Sequence, residues 1–139
     1  MFVALIERES EFNPHALSED GSVGIAQLQP QFHAVDATDP VASLNYAAQL
    51  IASYRDLFGG RYDLALAAYN VGSPTIVKLG HLPLNGRTEF FVAGILSRSV
   101  ELRTTSVQID APPPCIPPEA SAFDTLSLTL GLLIGAIDR

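Results

Sequence analysis

The sequence predicts an all-α domain followed by a proline-linked apolar tail. Two observations carry the domain. Its long segments place apolar side chains at helical spacing, and none of them alternates well enough to make a strand. A third observation carries the tail. From Thr104 the composition turns to proline and then to a leucine-rich run.

The first element is MFVALIERES, residues 1–10, which has good helix formers and neither Gly nor Pro. At roughly 100° per residue, Phe2, Leu5, Ile6 and Glu9 share one face, while Glu7, Arg8 and Glu11 look the other way. A carboxyl set in an apolar stripe is partly desolvated, and desolvation raises its pKa. Glu9 is therefore either a general acid that keeps its proton near neutral pH or a core-edge glutamate bonded to a buried partner.

A loop, FNPHALSEDGSVG, follows, and Gly24–Leu28 is expected to form a short helix stopped by Pro30. Asp39-Pro40 opens the next helix, with Asp39 as N-cap and Pro40 in the first turn. Its expected inward positions are Val41, Leu44, Ala48, Ile51, Tyr54 or Arg55, and Phe58, and Gly59-Gly60 ends it. YDLALAAY, residues 62–69, is apolar nearly all round and is expected to be a buried central helix. A turn at Asn70–Pro74 leads to a short helix, Thr75–Leu79. The last helix covers 87–101 with Phe90, Phe91, Ile95 and Leu96 inward. Residues 1–103 thus make one domain, 104–122 a Pro-rich linker, and 123–139 an apolar tail. In that tail Leu126, Leu128, Leu130 and Leu132 fit a strand or an amphipathic helix. The tail either packs on the domain or docks to a protein partner or a membrane surface.

Composition narrows the function. With 139 residues, 47% hydrophobic and 17% charged, the chain suits one globular domain with a real core. A net charge of −7 without a basic run argues against nucleic acid as partner. The single cysteine, Cys115, excludes an internal disulfide, and few histidines with no Cys-x-x-Cys give no expectation of a metal or other cofactor. No secretory pattern is visible at the N-terminus, and no stretch reaches the roughly 18 apolar residues of a membrane span.

Four pieces stand in order: Glu9-Ser10; Gly24-Ile25-Ala26-Gln27-Leu28-Gln29-Pro30; the helix opened by Asp39-Pro40; and Ala67-Ala68-Tyr69-Asn70-Val71-Gly72. Together they resemble the catalytic domain of the soluble lytic transglycosylases, the SLT family related to goose-type lysozymes, from about residue 4 to 100. That resemblance implies a lysozyme-like helical fold and peptidoglycan glycan strands as substrate. It implies Glu9 as the catalytic acid, Tyr69 as the residue orienting it, and Ser10, Gln27, Asn70 and Gly24 as substrate contacts. The implied reaction cuts the β-1,4 bond between N-acetylmuramic acid and N-acetylglucosamine, leaving a 1,6-anhydro end. Lysozyme-type hydrolysis with Asp20 or another loop acid guiding water is the near alternative, and an inactive peptidoglycan-binding or structural module the more distant one. Ala26 departs from the family's usual methionine, Phe91 from tyrosine and Arg87 from glutamate. The expected place of action is the cell wall or periplasm, reached as part of a phage virion or by another route.

Overall fold

The computed structural model describes residues 1–105, as five helices and connecting turns. They are α1 (Phe2–Ser10), α2 (Pro40–Leu57), α3 (Tyr62–Val71), α4 (Ser73–Leu79) and α5 (Arg87–Thr104). The described part is all-α, as expected, and none of its helices is long and apolar enough to cross a membrane. A compact unit covers Met1–Ser106. Thr104, expected as the first residue of the linker, belongs to α5. The expectations for the rest of the linker and for the tail lie outside the described residues.

Helix α3 is the hub. Leu64, Ala65, Leu66, Ala67 and Ala68 are all buried, and the helix packs on α2, α4 and α5. The run of alanines lets neighbouring helices come close, while the leucines each contribute about 1.5–3 kcal/mol of burial. Around α3 gather Leu5 of α1, Ile51 of α2, Ile76 of α4, and Phe91, Val92 and Ile95 of α5. A second, smaller cluster joins Ile6 and Ala47 to Ala26, Leu28 and Ala37 of the long α1–α2 connection. Phe2 and Tyr69 pack against both clusters.

Helix starts follow side-chain chemistry. Asp39 Oδ1 accepts from the N–H groups of Val41 (2.8 Å) and Ala42 (3.2 Å), the expected cap of α2. At the far end Gly59 and Gly60 take positive φ, and Gly60 N donates to Arg55 O at 2.8 Å. On α5 the first turn is closed by Asn85, whose Oδ1 accepts from Thr88 N at 2.9 Å. Glu89 reaches back to Gly86 N at 2.8 Å.

Three local expectations are corrected. Gly24–Leu28 is not a helix. It is a tight turn closed by paired backbone bonds between Val23 and Leu28, at 2.9 and 3.1 Å. The glycine and the left-handed Gln27 (φ 49°) favour that reversal over a continuing helix. On α2 the buried face is Ser43, Ala47 and Ile51, whereas Val41 is 66% exposed and Ala48 also faces out. Small residues, rather than the largest apolar ones, mark where that helix approaches its neighbours. On α5 the inward row is Thr88, Phe91, Val92, Ile95 and Ser99, and Phe90 stands 78% exposed. Leu96 is only at the edge of the core, about a third exposed. A moderately polar row therefore faces inward where a purely apolar one was expected.

Candidate active site

The three glutamates of α1 have different fates. Glu7 forms a two-pronged ion pair with Arg98 of α5, at 2.8 and 3.1 Å, and that pairing holds its carboxyl below the usual range. Glu11 ends the helix in the left-handed region, φ 52°, and is exposed. Glu9 lies between them on the inward side. Burial pushes its carboxyl up to about 8, the charge of Arg8 pulls it down, and that of Asp20 pushes it up again. No side-chain hydrogen bond holds the Glu9 carboxyl among the described residues, so it is not the paired core-edge glutamate of the alternative. It is a desolvated acid that keeps its proton through neutral pH.

Around it, three successive carbonyls are each gripped by a side chain. Gln27 Nε2 donates to Gly24 O at 3.0 Å, Ser10 Oγ to Ile25 O at 2.7 Å, and Tyr69 Oη to Ala26 O at 2.8 Å. Ser10 thus ties the end of the acid's helix to the turn, and Tyr69 ties α3 to the same turn. The Gln27 amide nitrogen also reaches Ala16 O at 3.3 Å, so both its protons are used within the loop. Gly24 sits with φ +75°, and a Cβ there would lie 2.0 Å from Ala37 O. The space that its missing side chain leaves is filled by the backbone of Ala37.

These bonds show what several of the expected site residues hold within the protein. The phenol of Tyr69 gives its one proton to Ala26 O, not to Glu9. Burial raises its pKa first, and the nearby Glu9 charge adds to that. Towards Glu9 it can offer only a lone pair, which suits the protonated acid. Ser10, Gln27 and Gly24 hold the turn itself. The remaining predicted residue, Asn70, is exposed beside Tyr69, and its Oδ1 accepts from Thr88 Oγ1 at 3.3 Å.

Asp20 belongs to this neighbourhood as well as to its turn. It accepts from Ser18 Oγ, and that bond, together with the charge of Arg87, holds its carboxyl below the ordinary range. Asp36 accepts from Thr38 in a turn, and Asp39 caps α2 as expected. Strain concentrates here too. The non-glycine residues with positive φ among those described are Glu11, Phe12 and Gln27, flanking the acid's helix end and its facing turn. Two cavities, about 460 and 410 Å³, lie elsewhere. One is bounded by Glu7, Phe12 and Arg98, the other by Phe2, Tyr62 and Arg103, and neither touches Glu9.

Sequence reasoning misses Asn85 and Thr88, which connect α5 to the site. The signal was present as a capping pattern, Asn85-Gly86-Arg87-Thr88, but apolar periodicity passes over a buried threonine.

A desolvated acid on α1, next to a turn that two helices hold by hydrogen bonds, marks a small helical domain with a candidate site at Glu9. The chain belongs to the SLT family, since the family model for the Transglycosylase SLT domain matches residues 1–81. That span contains Glu9, the Gly24–Pro30 segment and Asn70, and stops short of Asn85. Membership indicates peptidoglycan as the substrate, lytic transglycosylation as the activity, and the cell wall as the place of action.

Proposed function

We propose that Glu9 is the single general acid and base of a lytic transglycosylase that leaves a 1,6-anhydro end on the muramic residue. The observation that carries this is the burial of Glu9, which raises its pKa to about 8 without a hydrogen-bonded partner. A protonated Glu9 gives its proton to the glycosidic oxygen, and the C1–O bond breaks. The oxocarbenium-like C1 is then closed by the muramic C6 oxygen. Glu9, now a carboxylate, takes the C6 hydroxyl proton. One proton leaves and one returns, and no water is consumed. Tyr69 and Ser10 support the step by fixing the turn that faces the acid.

A second reading rests on Asp20. Its carboxylate is kept ionised and lies close enough to raise the pKa of Glu9. Such a group could orient water for lysozyme-type hydrolysis. Products separate the two. Peptidoglycan digested by the full chain is expected to yield anhydro-muropeptides by mass spectrometry, and Glu9→Gln none. Reducing-end products would move the assignment to hydrolysis, and no product from the wild type would leave a binding or structural module. For its route to the wall we propose carriage in a phage particle, supported by the Pro-linked apolar segment after the domain. Proteomics of purified particles that lack the chain would remove that proposal.

A further inference from the structure

We infer that Arg98 is a positioning residue for Glu9: its forked grip on Glu7 fixes the roll of α1 about its own axis, and so keeps the Glu9 side chain turned into the protein. The inference rests on the proposed function for the role of Glu9 as acid, and on geometry for everything else.

Helix α1 has few directional holds. It has nine residues, and among the other helices it packs chiefly on α5. A helix that short is not stable by itself in water, so its setting comes from its contacts. Ala4, Leu5 and Ile6 bury its inner face, but apolar contact is non-directional. Two of its side chains make hydrogen bonds beyond the helix: Ser10 to the turn at Ile25 O, and Glu7 to Arg98. Steps of roughly 100° per residue place Glu7 about 160° around the helix from Glu9. Any roll that draws Glu7 off Arg98 therefore swings Glu9 through the same angle on the other side.

Packing does not replace the grip on that flank. A cavity of about 460 Å³ lies there between α1 and α5, lined by Ala4, Arg8, Gly94 and the ion pair itself. A Cβ added at Gly94 would meet nothing within 4 Å. The bond is also of a suitable kind. Exposed ion pairs contribute little as a rule, and bidentate geometry is the exception. Arg98 Nε and Nη2 reach the two carboxylate oxygens of Glu7 at 2.8 and 3.1 Å. Its Nη1 donates to Glu101 at 3.1 Å, which braces the guanidinium from its own helix.

The sign of the effect separates positioning from direct charge. Removing a cation near a carboxyl raises the pKa of that carboxyl, and freeing the Glu7 charge would raise it further. Letting α1 roll brings Glu9 to water and lowers its pKa, because burial is what raises it. The other groups that face Glu9 are Arg8 on its own helix, Asp20 in the loop and Tyr69 on α3, and all three are kept when Arg98 alone is changed.

The test is Arg98→Gln in the full chain. The Glu9 carboxyl carbon is followed by NMR across pH, and turnover of glycan-strand fragments is measured alongside. The wild type is expected to titrate at about 8. In Arg98→Gln the midpoint is expected to fall by about one pH unit. The alkaline limb of kcat moves with it, while KM changes by less than about twofold. Arg98→Lys keeps the charge and one bond, and is expected to recover part of the shift. Arg61→Gln breaks a forked pair of the same kind, with Asp63 and away from α1, and should leave the midpoint in place. An unmoved or raised midpoint in Arg98→Gln overturns the inference. So does an equal fall in Arg61→Gln, which would mean general loosening. Because the carboxyl is read without turnover, the two readings fail separately. A wild type that leaves peptidoglycan uncut, with a lowered midpoint in Arg98→Gln, removes the proposed function and keeps the positioning. A Glu9 that titrates as an ordinary carboxyl in the wild type overturns both.

Discussion

Two halves of the described chain are built on different principles. From Pro40 to Thr104 the backbone bonds are mostly helical and the side chains pack. From Glu11 to Asp39 there is no helix, and turns, isolated bridges and side-chain-to-carbonyl bonds hold the path. The first half supplies rigidity cheaply, through local bonds and alanine-rich contact. The second places a turn against Glu9, and it does so with left-handed residues and a glycine that nothing else can replace. The acid stands at the seam. Its helix contributes Leu5 to one core and Ile6 to the other.

The largest effect expected across this seam is on catalysis. Glu9→Gln should lower turnover by at least about 10²-fold. In the wild type the rate should fall above pH 8, where Glu9 loses its proton. The same substitution should raise stability, with a definite sign in pH. Below about 4.5 the carboxyl is protonated both folded and unfolded, and nothing is gained. Between 4.5 and 8 the folded chain holds the extra proton, so the stability of the wild type declines as pH rises, and above 8 the full cost of a buried charge is present. Melting curves should therefore separate the two proteins at pH 9 and superimpose at pH 4. Superposition at both would show that Glu9 is solvated, and the seam would lose its meaning.

Next in size is Gly24→Ala, which strikes the turn-built half alone. The new Cβ would meet Ala37 O at 2.0 Å, on a backbone with φ +75°. Destabilisation of about 2–4 kcal/mol is expected by chemical denaturation. Gly21→Ala, where nothing lies within 4 Å of the added carbon, should cost only the left-handed strain of about 1–2 kcal/mol. Equal costs at the two positions would mean that the turn can move away from Ala37.

Tyr69→Phe tests the tie between the halves. It removes the donor to the carbonyl of Ala26, a residue that is 0% exposed, and strands that carbonyl. A loss of about 1–3 kcal/mol follows. A smaller effect is expected from Asp20→Asn. Removing that charge should move the alkaline limb of the rate profile to lower pH, because the Asp20 charge is one of the forces raising Glu9. An unmoved limb would place Asp20 outside the site.

The helical half was legible in the sequence for a physical reason. Helix periodicity repeats over many residues, so α2 and α3 are legible from Asp39-Pro40, Gly59-Gly60 and the run at 62–69. What failed there was the choice of inward positions, because Thr88 and Ser43 are buried and Phe90 is not. Glu9 was singled out by periodicity alone, from its place among Phe2, Leu5 and Ile6. The turn-built half was legible only as a set of motifs. Its carbonyls accept from side chains as far as tens of residues away, as Ala26 does from Tyr69, and no local pattern encodes such a partner. Hence Ser10 and Gln27 stand in the sequence as candidate site residues, while their bonds to the turn do not.

Two serines sharpen the comparison at its smallest scale. Ser10 Oγ ties α1 to the turn through Ile25 O at 2.7 Å. Ser43 Oγ, on the buried face of α2, has no partner among the described residues, although the residue is fully enclosed. A buried hydroxyl without a partner has given up its bonds to water and gained none. The same substitution should therefore act with opposite sign in the two halves. Ser10→Ala strands a carbonyl and is expected to destabilise by about 1 kcal/mol or more. Ser43→Ala removes the orphan and improves helix propensity, so a gain of up to about 1 kcal/mol is expected, or about 4–8 °C in melting temperature. A loss in Ser43→Ala would mean that the hydroxyl has a partner in solution, such as an internal water. The helical half would then use polar bonds as the turn-built half does.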